Sequence, residues 1–431
     1  MEQEQLIDFL LLRDPNVMLV VVGTMFLGAS AALVGAFSFL RKQSLIGDAI
    51  AHSILPGVVL AFLFTSSKNP FYLMIGALIS GWISVMGINY IQNYTKLKGD
   101  AAIAIVLSFF FALGIMFLTY AQHLNSLNAS GLDHFLFGKA AAMNSNDVMA
   151  FSILSLLVLL AVIFFRRAFI LLSFDMDFAK SRGLPVRYYE VLLSSLTILA
   201  IALGIQAVGM ILMAALIITP AAASRQWTNK MDRFLSLAVL FGVLAAYSGS
   251  FLSYSAPKMP TGPWIVMALS LITFVSVIFA PEKGLLARRR VKRRNKKKIL
   301  HENIIKAFYQ LSEKADVEFL TADDLSLHLN YDKQRVIRAL QSLKRKGFVY
   351  KVDPKWSLSS EGEIESRRIV RLHRLWELYL TKKMLIDPDL VHSDAEAIEH
   401  VITPEIEFQL TKELGDPDKD PHSSLIPPIH K

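Results

Sequence analysis

The chain has 431 residues, 53% of them hydrophobic, a mean hydropathy of +0.43 and a formal net charge of +9. A composition this apolar excludes an ordinary soluble protein and points to a membrane protein. The absence of cysteine excludes disulfides and thiolate metal centres, so any metal must be held by nitrogen and oxygen.

In chain order, runs that approach the roughly 20 apolar residues needed to cross a bilayer fall at 17–40, 46–66, 70–92, 101–121, 147–166, 190–205, 207–224, 234–253 and 263–281. The pair within 190–224 reads either as two short spans or as one long kinked span, so nine and eight spans both fit. The first run lacks the basic start and cleavage pattern of a secretory signal and is expected to be retained. Lys and Arg gather at Arg41-Lys42, Lys96 and Lys98, Arg166 through Arg187, Arg225 through Arg233, and after Lys283, whereas loops 121–146 and 254–262 carry one Lys each. This bias puts the basic loops in the cytoplasm. Nine spans then leave the N-terminus outside and the C-terminal tail inside.

Asp48 and His52 lie in the second run, one helical turn apart and on one face. An Asp at the centre of a span costs about 2.5–3.5 kcal/mol on insertion scales, and such residues face a polar cavity or a partner. The Pro56-Gly57 step can bend the helix and free a carbonyl. A carboxylate with an imidazole suits a divalent first-row metal passing through, with too few ligands to trap it. The competing reading makes Asp48 a helix-end cap and hydrogen-bonds His52 to a neighbouring span. Asp100 reads equally as a cap. His123, Asp133 and His134 fall in an outer loop, where solvation is the simpler reading. Gly23, Gly28, Ala32 and Gly35 form a stripe of small residues suited to close helix packing. In the loop 173–187, a short amphipathic helix starts at Asp175 and is ended by Gly183 and Pro185. No Gly-x-x-x-x-Gly-Lys-Ser/Thr loop occurs, so the chain binds no nucleotide phosphates by itself.

Residues 288–298 hold nine basic side chains and no acidic one, as many charges as the whole net charge. This run reads as an anchor beside anionic membrane lipid. A soluble domain begins near His301. Thr321 and Asp332 cap two short helices, and Gly347–Leu358 fits a β-hairpin wing, which together make a winged helix-turn-helix. Further on, His373 and Glu377 share a helix face, as do Glu396 and His400, with Glu399 beside them. One such pair is routine on a surface helix. Five potential ligands in 28 residues point to a metal site, with His392 and His422 as auxiliaries.

These residues carry two resemblances. Residues 17–281 resemble the permease of the metal-transporting ABC family that imports manganese, zinc or iron(II), through the stretches 41–57, 137–139, 173–183, 208–221 and 260–263. Residues 301–431 are similar to metalloregulators of the diphtheria-toxin-repressor and manganese-repressor type, through the winged helix, 371–380, 391–400 and 420–422. The expected fold is an all-α polytopic membrane protein of 8–9 transmembrane helices with a C-terminal cytoplasmic winged helix-turn-helix plus a helical metal-sensor-like domain. Its expected divisions are a permease at 1–285, a basic juxtamembrane linker at 286–300, the winged helix at 301–360 and a helical metal-binding and dimerisation-like part at 361–431.

The first resemblance implies a non-enzymatic transport subunit in a bacterial inner membrane, carrying Mn, Fe or Zn past Asp48 and His52. It also implies a separate ATPase subunit docking at Asp175, Phe178, Ala179 and Gly183, an extracytoplasmic metal-binding protein, and a homodimer or paired permease. The second implies a regulatory divalent metal at His373, Glu396, Glu399 and His400. It departs from its family at the first tail helix, where Asn303 and Lys306, with Glu302 beside them, stand in place of a further ligand. The alternative function is a membrane-tethered, metal-dependent transcription regulator that places Lys333, Arg335, Arg338 and Gln341 in a DNA major groove.

Overall fold

The computed structural model describes residues 9, 13–43, 45–67, 69–124, 143–255, 259–315, 317–387, 404–415, 417–422 and 424–428. The chain divides into two compact units, Met1–Arg288 and Arg289–Lys431.

In the first unit the apolar runs form α1 (Pro15–Leu40), α2 (Ile46–Thr65), α3 (Pro70–Tyr94), α4 (Gly99–Leu124) and α5 (Ser145–Phe174). They are followed by a short α6 (Met176–Ser181), then α7 (Val186–Val208), α8 (Met210–Trp227), α9 (Met231–Ser255) and α10 (Thr261–Phe279). Among the described residues, eight of these helices are long and apolar enough to cross a membrane, with α8 outside that group. The ambiguous stretch 190–224 is two helices. They break at Gly209, whose φ of 84° lies where only glycine sits without strain. α5 runs past the expected end at 166 because Arg166 and Arg167 are good helix formers: charge marks a membrane edge but does not stop a helix.

α2 lies inside the unit and packs against α3, α4, α7 and α8. Its Ile50, Ile54, Leu55, Val58 and Phe62 join one core with Ile103, Val106, Ile198, Ile201, Met213 and Ile217. Backbones approach where side chains are absent. A Cβ built on Gly57 meets the Gly76 carbonyl oxygen at 2.1 Å, and one built on Gly76 meets that of Gly57 at 2.3 Å. The stripe on α1 behaves as expected at Gly35, whose added Cβ runs into the Ile217 backbone, and at Gly28, whose added Cβ would lie 2.8 Å from the Gly242 carbonyl oxygen.

The second unit contains most of α11 (Leu285–Ala315), then α12 (Ala322–Leu329), α13 (Lys333–Arg345), β1 (Val349–Val352), β2 (Lys355–Leu358), α14 (Ser360–Met384) and α15 (Pro404–Leu414). Thr321 and Asp324 close a capping box on α12, and Asn330 ends that helix with φ 52°. The Asp332 carboxylate accepts from the Arg335 N–H to start α13. The antiparallel wing pairs Val349 with Leu358 and Val352 with Lys355. Ile304, Phe308, Leu325, Val336, Leu340, Trp356 and Ile369 form the core of this unit.

His301 is buried beside a cleft of about 370 Å³ lined by Arg294, Lys297, Lys298, Glu302, Lys346 and Glu365. Burial first, then the charges of Lys346 and Lys297, lower its pKa to about 4 from 6.5. The unfolded chain therefore takes up the proton first as pH falls. The stability tied to neutral His301 is complete above pH 6.5 and drains away between 6.5 and 4. Asp324, held low by its bonds to Thr321, acts only in a more acidic range. Hydrogen exchange of amides in α11–α13 of the full chain should accelerate from pH 6.5 to 4, after correction for intrinsic rates, and His301→Leu should flatten that slope. An unchanged slope in the variant would assign the loss to other groups.

Candidate functional site

Asp48 sits in the first turn of α2 and His52 one turn later, with His52 Nε2 3.4 Å from Asp48 Oδ1. The side chains are 39% and 19% exposed. The His52 ring stands edge-on to Phe111 of α4, and its Nδ1 is buried with no hydrogen-bond partner. Among the described residues His52 makes no hydrogen bond to a neighbouring span, against the competing reading. Pro56 supplies no N–H to the His52 carbonyl one turn back. The Ser80 hydroxyl of α3 donates to the next carbonyl, that of Ser53, at 2.5 Å. Two donors about 2.1 Å from one ion stand roughly 3.0 Å apart in octahedral and roughly 3.4 Å apart in tetrahedral geometry. The Asp48–His52 spacing suits two neighbouring positions around such an ion. Among the described residues no group of three or more His, Asp or Glu side chains gathers as a metal cage.

The Asp175 carboxylate caps α6 by accepting from the Phe178 N–H at 2.9 Å. Phe178 is exposed, whereas Ala179 is buried among Phe37, Phe169, Leu193 and Phe234. The two residues do different jobs: Ala179 seats the helix and Phe178 presents an apolar ring outward. Gly183, with φ 76° and open space around it, turns the chain into α7. At the same end of the unit Arg41 donates to Glu190 at 2.9 Å, joining the segment after α1 to α7. Nothing in the sequence marks that pair, since its members lie 149 positions apart.

In the second unit His373 and Glu377 of α14 are buried and adjacent, with Nε2 3.1 Å from Oε1. The other ring nitrogen, Nδ1, stands 3.1 Å from Nζ of Lys306, also buried, on α11. His373 Nε2 and Glu377 Oε1 thus stand at ligand spacing, but among the described residues the buried Lys306 amine stands against the other ring nitrogen, where a cation does not fit beside it. Glu396, Glu399, His400 and His392 lie outside the described residues, as do Asp133, His134 and the stretch 137–139. His422 is exposed, and Asp420 accepts from the backbone N–H groups of His422 and Ser424, closing a turn. Arg374, which sequence reasoning passed over, chelates Glu313, approaches Asp420 at 3.6 Å and donates to the Leu425 carbonyl.

A family model described as the ABC 3 transport family matches residues 13–280. The chain belongs to this family. A second model, the iron dependent repressor metal binding and dimerisation domain, matches residues 359–428. The permease is 37% identical over 377 residues to the manganese transport system membrane protein MntC of Bacillus subtilis, covering 87% of this chain and 86% of that protein. It is 40% identical over 285 residues to the zinc transport system membrane protein TroC of Treponema pallidum, covering 65% of this chain and 96% of that protein. Among solved structures, PsaBC from Streptococcus pneumoniae in complex with Fab matches with a TM-score of 0.58 and 32% identity, over 67% of this chain and 100% of that one. The expected class therefore holds: a multi-pass, mostly helical ABC metal-transport permease with a repressor-like C-terminal domain.

The permease also displays the exposed face of α13. Lys333 pairs with Asp323 at 2.7 Å, Arg335 lies 4.8 Å over the Tyr331 ring, and Arg338 Nε donates to the Gln334 carbonyl. Gln341 is exposed beside them.

Proposed function

We propose that this permease imports Mn(II), Fe(II) or Zn(II) as the transmembrane subunit of an ABC system, with Asp48 and His52 as the intramembrane stopping point of the ion. The observation that carries the reading is the pair itself: a carboxylate and an imidazole at ligand spacing, on the most buried of the eight apolar spans among the described residues, with one imidazole nitrogen buried and unpartnered. A buried polar atom without a partner is costly and is kept where it has a task. Two ligands from one chain leave coordination positions for a second copy, so we assign the working unit as a permease pair around a shared path. An extracytoplasmic binding protein delivers the ion, and a separate ATPase subunit drives the change of access. The basic loops and the C-terminal unit face the cytoplasm. Elemental mass spectrometry of cells expressing the permease with its ATPase and binding protein tests this. Gain of one of the three metals over cells lacking the permease supports import and names the cargo; no gain from an inserted, assembled complex would refute it.

For coupling we assign Asp175, Phe178, Ala179 and Gly183, with Phe178 making the contact and the others shaping it. Phe178→Asp removes the apolar ring and adds a charge at the docking surface. Metal uptake should fall at least tenfold while the permease still inserts and its thermal stability stays near that of the parent, because the ring is exposed. Co-purification of the ATPase with the variant at wild-type yield, with wild-type uptake, would remove α6 from the contact.

A second reading keeps DNA as a ligand of the tail. Its support is the exposed basic face of α13, although Lys333 is already held by Asp323. Selective binding that weakens steeply with salt would favour it.

A further inference from the structure

Lys306, His373 and Glu377 form a line of cation, imidazole and carboxylate, 3.1 Å at each step. The residues are 5%, 4% and 2% exposed, so the line is dry. An ammonium has three donors and no acceptor. His373 Nδ1 must then accept from Lys306, which puts the ring proton on Nε2, where it donates to Glu377. Within the line the positive charge of Lys306 and the negative charge of Glu377 stand on opposite sides of the ring, which favours both in a dry site.

A divalent ion bound at Nδ1 would need the lone pair that Lys306 now uses, and would stand against its positive charge. The resemblance read from the sequence puts Asn303 and Lys306, with Glu302 beside them, where the repressors' first helix supplies a further ligand. The ammonium thus lies on the lone pair a metal would use and brings positive charge to it.

We propose that Lys306 is a built-in cation that replaces a metal ion at His373, so that this site of the tail is held in one state instead of being switched by cytoplasmic metal. Any regulation carried through His373 is then constant with respect to metal. This inference rests on the tail's own geometry and is independent of the transport reading.

The test uses the full chain, purified in detergent in an Asp48→Ala/His52→Ala background, stripped with chelator, re-equilibrated with Mn(II) and desalted before metal counting. Each form is compared with its His373→Ala derivative, so that metal held elsewhere cancels. The parent should show no His373-dependent Mn(II). Lys306→Glu, which removes the cation and supplies a carboxylate, should gain one Mn(II) per chain that disappears with His373→Ala. Mn(II) should also slow hydrogen exchange in α14 of this variant and leave the parent unaffected. His373-dependent metal in the parent would overturn the proposal, as would a folded Lys306→Glu protein that gains none. Where Lys306→Glu fails to fold, Lys306→Gln decides: it lacks the charge and should take up Mn(II) more weakly, and absence of uptake by the folded variant would equally overturn the proposal.

Discussion

Asp48→Ala and His52→Ala should each reduce the initial rate of metal uptake at least roughly 100-fold, since even outer partners of a metal ligand are worth about 10–100-fold. Neither side chain supports the fold strongly. Asp48 is 39% exposed and the His52 contact to it is a loose 3.4 Å, so insertion, thermal stability and ATPase assembly should be retained. Conservative variants separate ligand from filler. Asp48→Asn keeps shape and loses charge, and should behave like Asp48→Ala. His52→Gln keeps a neutral donor and acceptor but binds first-row metals poorly, and should fall nearly as far as His52→Ala. Isotope uptake measured beside surface expression checks the set. If Asp48→Ala and His52→Ala both transport at the parent rate, the pair is a helix-end feature.

Gly57→Ala is the second large effect, and it acts through packing. The added methyl would lie 2.1 Å from the Gly76 carbonyl oxygen and 2.5 Å from Ser80 Cβ, so the obstacle is partly backbone and cannot rotate away. α2 and α3 must separate, breaking the Ser80 hydroxyl bond to the Ser53 carbonyl one residue after His52. Overpacking of this kind costs about 1–3 kcal/mol or more, and we expect about 3 kcal/mol, a fall of about 5–10 °C in melting midpoint for a unit of this size. Uptake should fall with it, because the helix that moves carries Asp48 and His52. Gly87→Ala, also on α3, is the control: its Cβ meets only Val106 Cγ2 at an ordinary 3.7 Å and should be tolerated. Equal melting midpoints for the two variants would show that the close approach of α2 and α3 does not matter.

The elements that sequence made readable are those whose cause is local. Apolar length marks a span, Thr321 with Asp324 marks the start of α12, and Asp332 marks that of α13. Asp48 with His52, and His373 with Glu377, are local in the same sense, because a spacing of four puts both members on one face. What escaped depends on partners far apart in the chain. Lys306 meets His373 across 67 positions, so its position could be noted but its contact could not. Ala179 and Phe178 are adjacent in a six-residue helix, and only the packing of the first unit shows which of them faces inward. The break between α7 and α8 turns on the φ of Gly209, and Gly204, a few residues earlier, lies within the helix.

The central claim is that Asp48 and His52 hold the transported ion inside the membrane, and metal-edge X-ray absorption on the assembled complex, arrested with a non-hydrolysable nucleotide and loaded with Mn(II), tests it most directly. The account predicts a nitrogen and oxygen shell with imidazole outer scattering, and loss of that scattering in the same complex carrying His52→Ala and Lys306 unchanged. A bound Mn(II) whose spectrum is identical in parent and variant would contradict the claim.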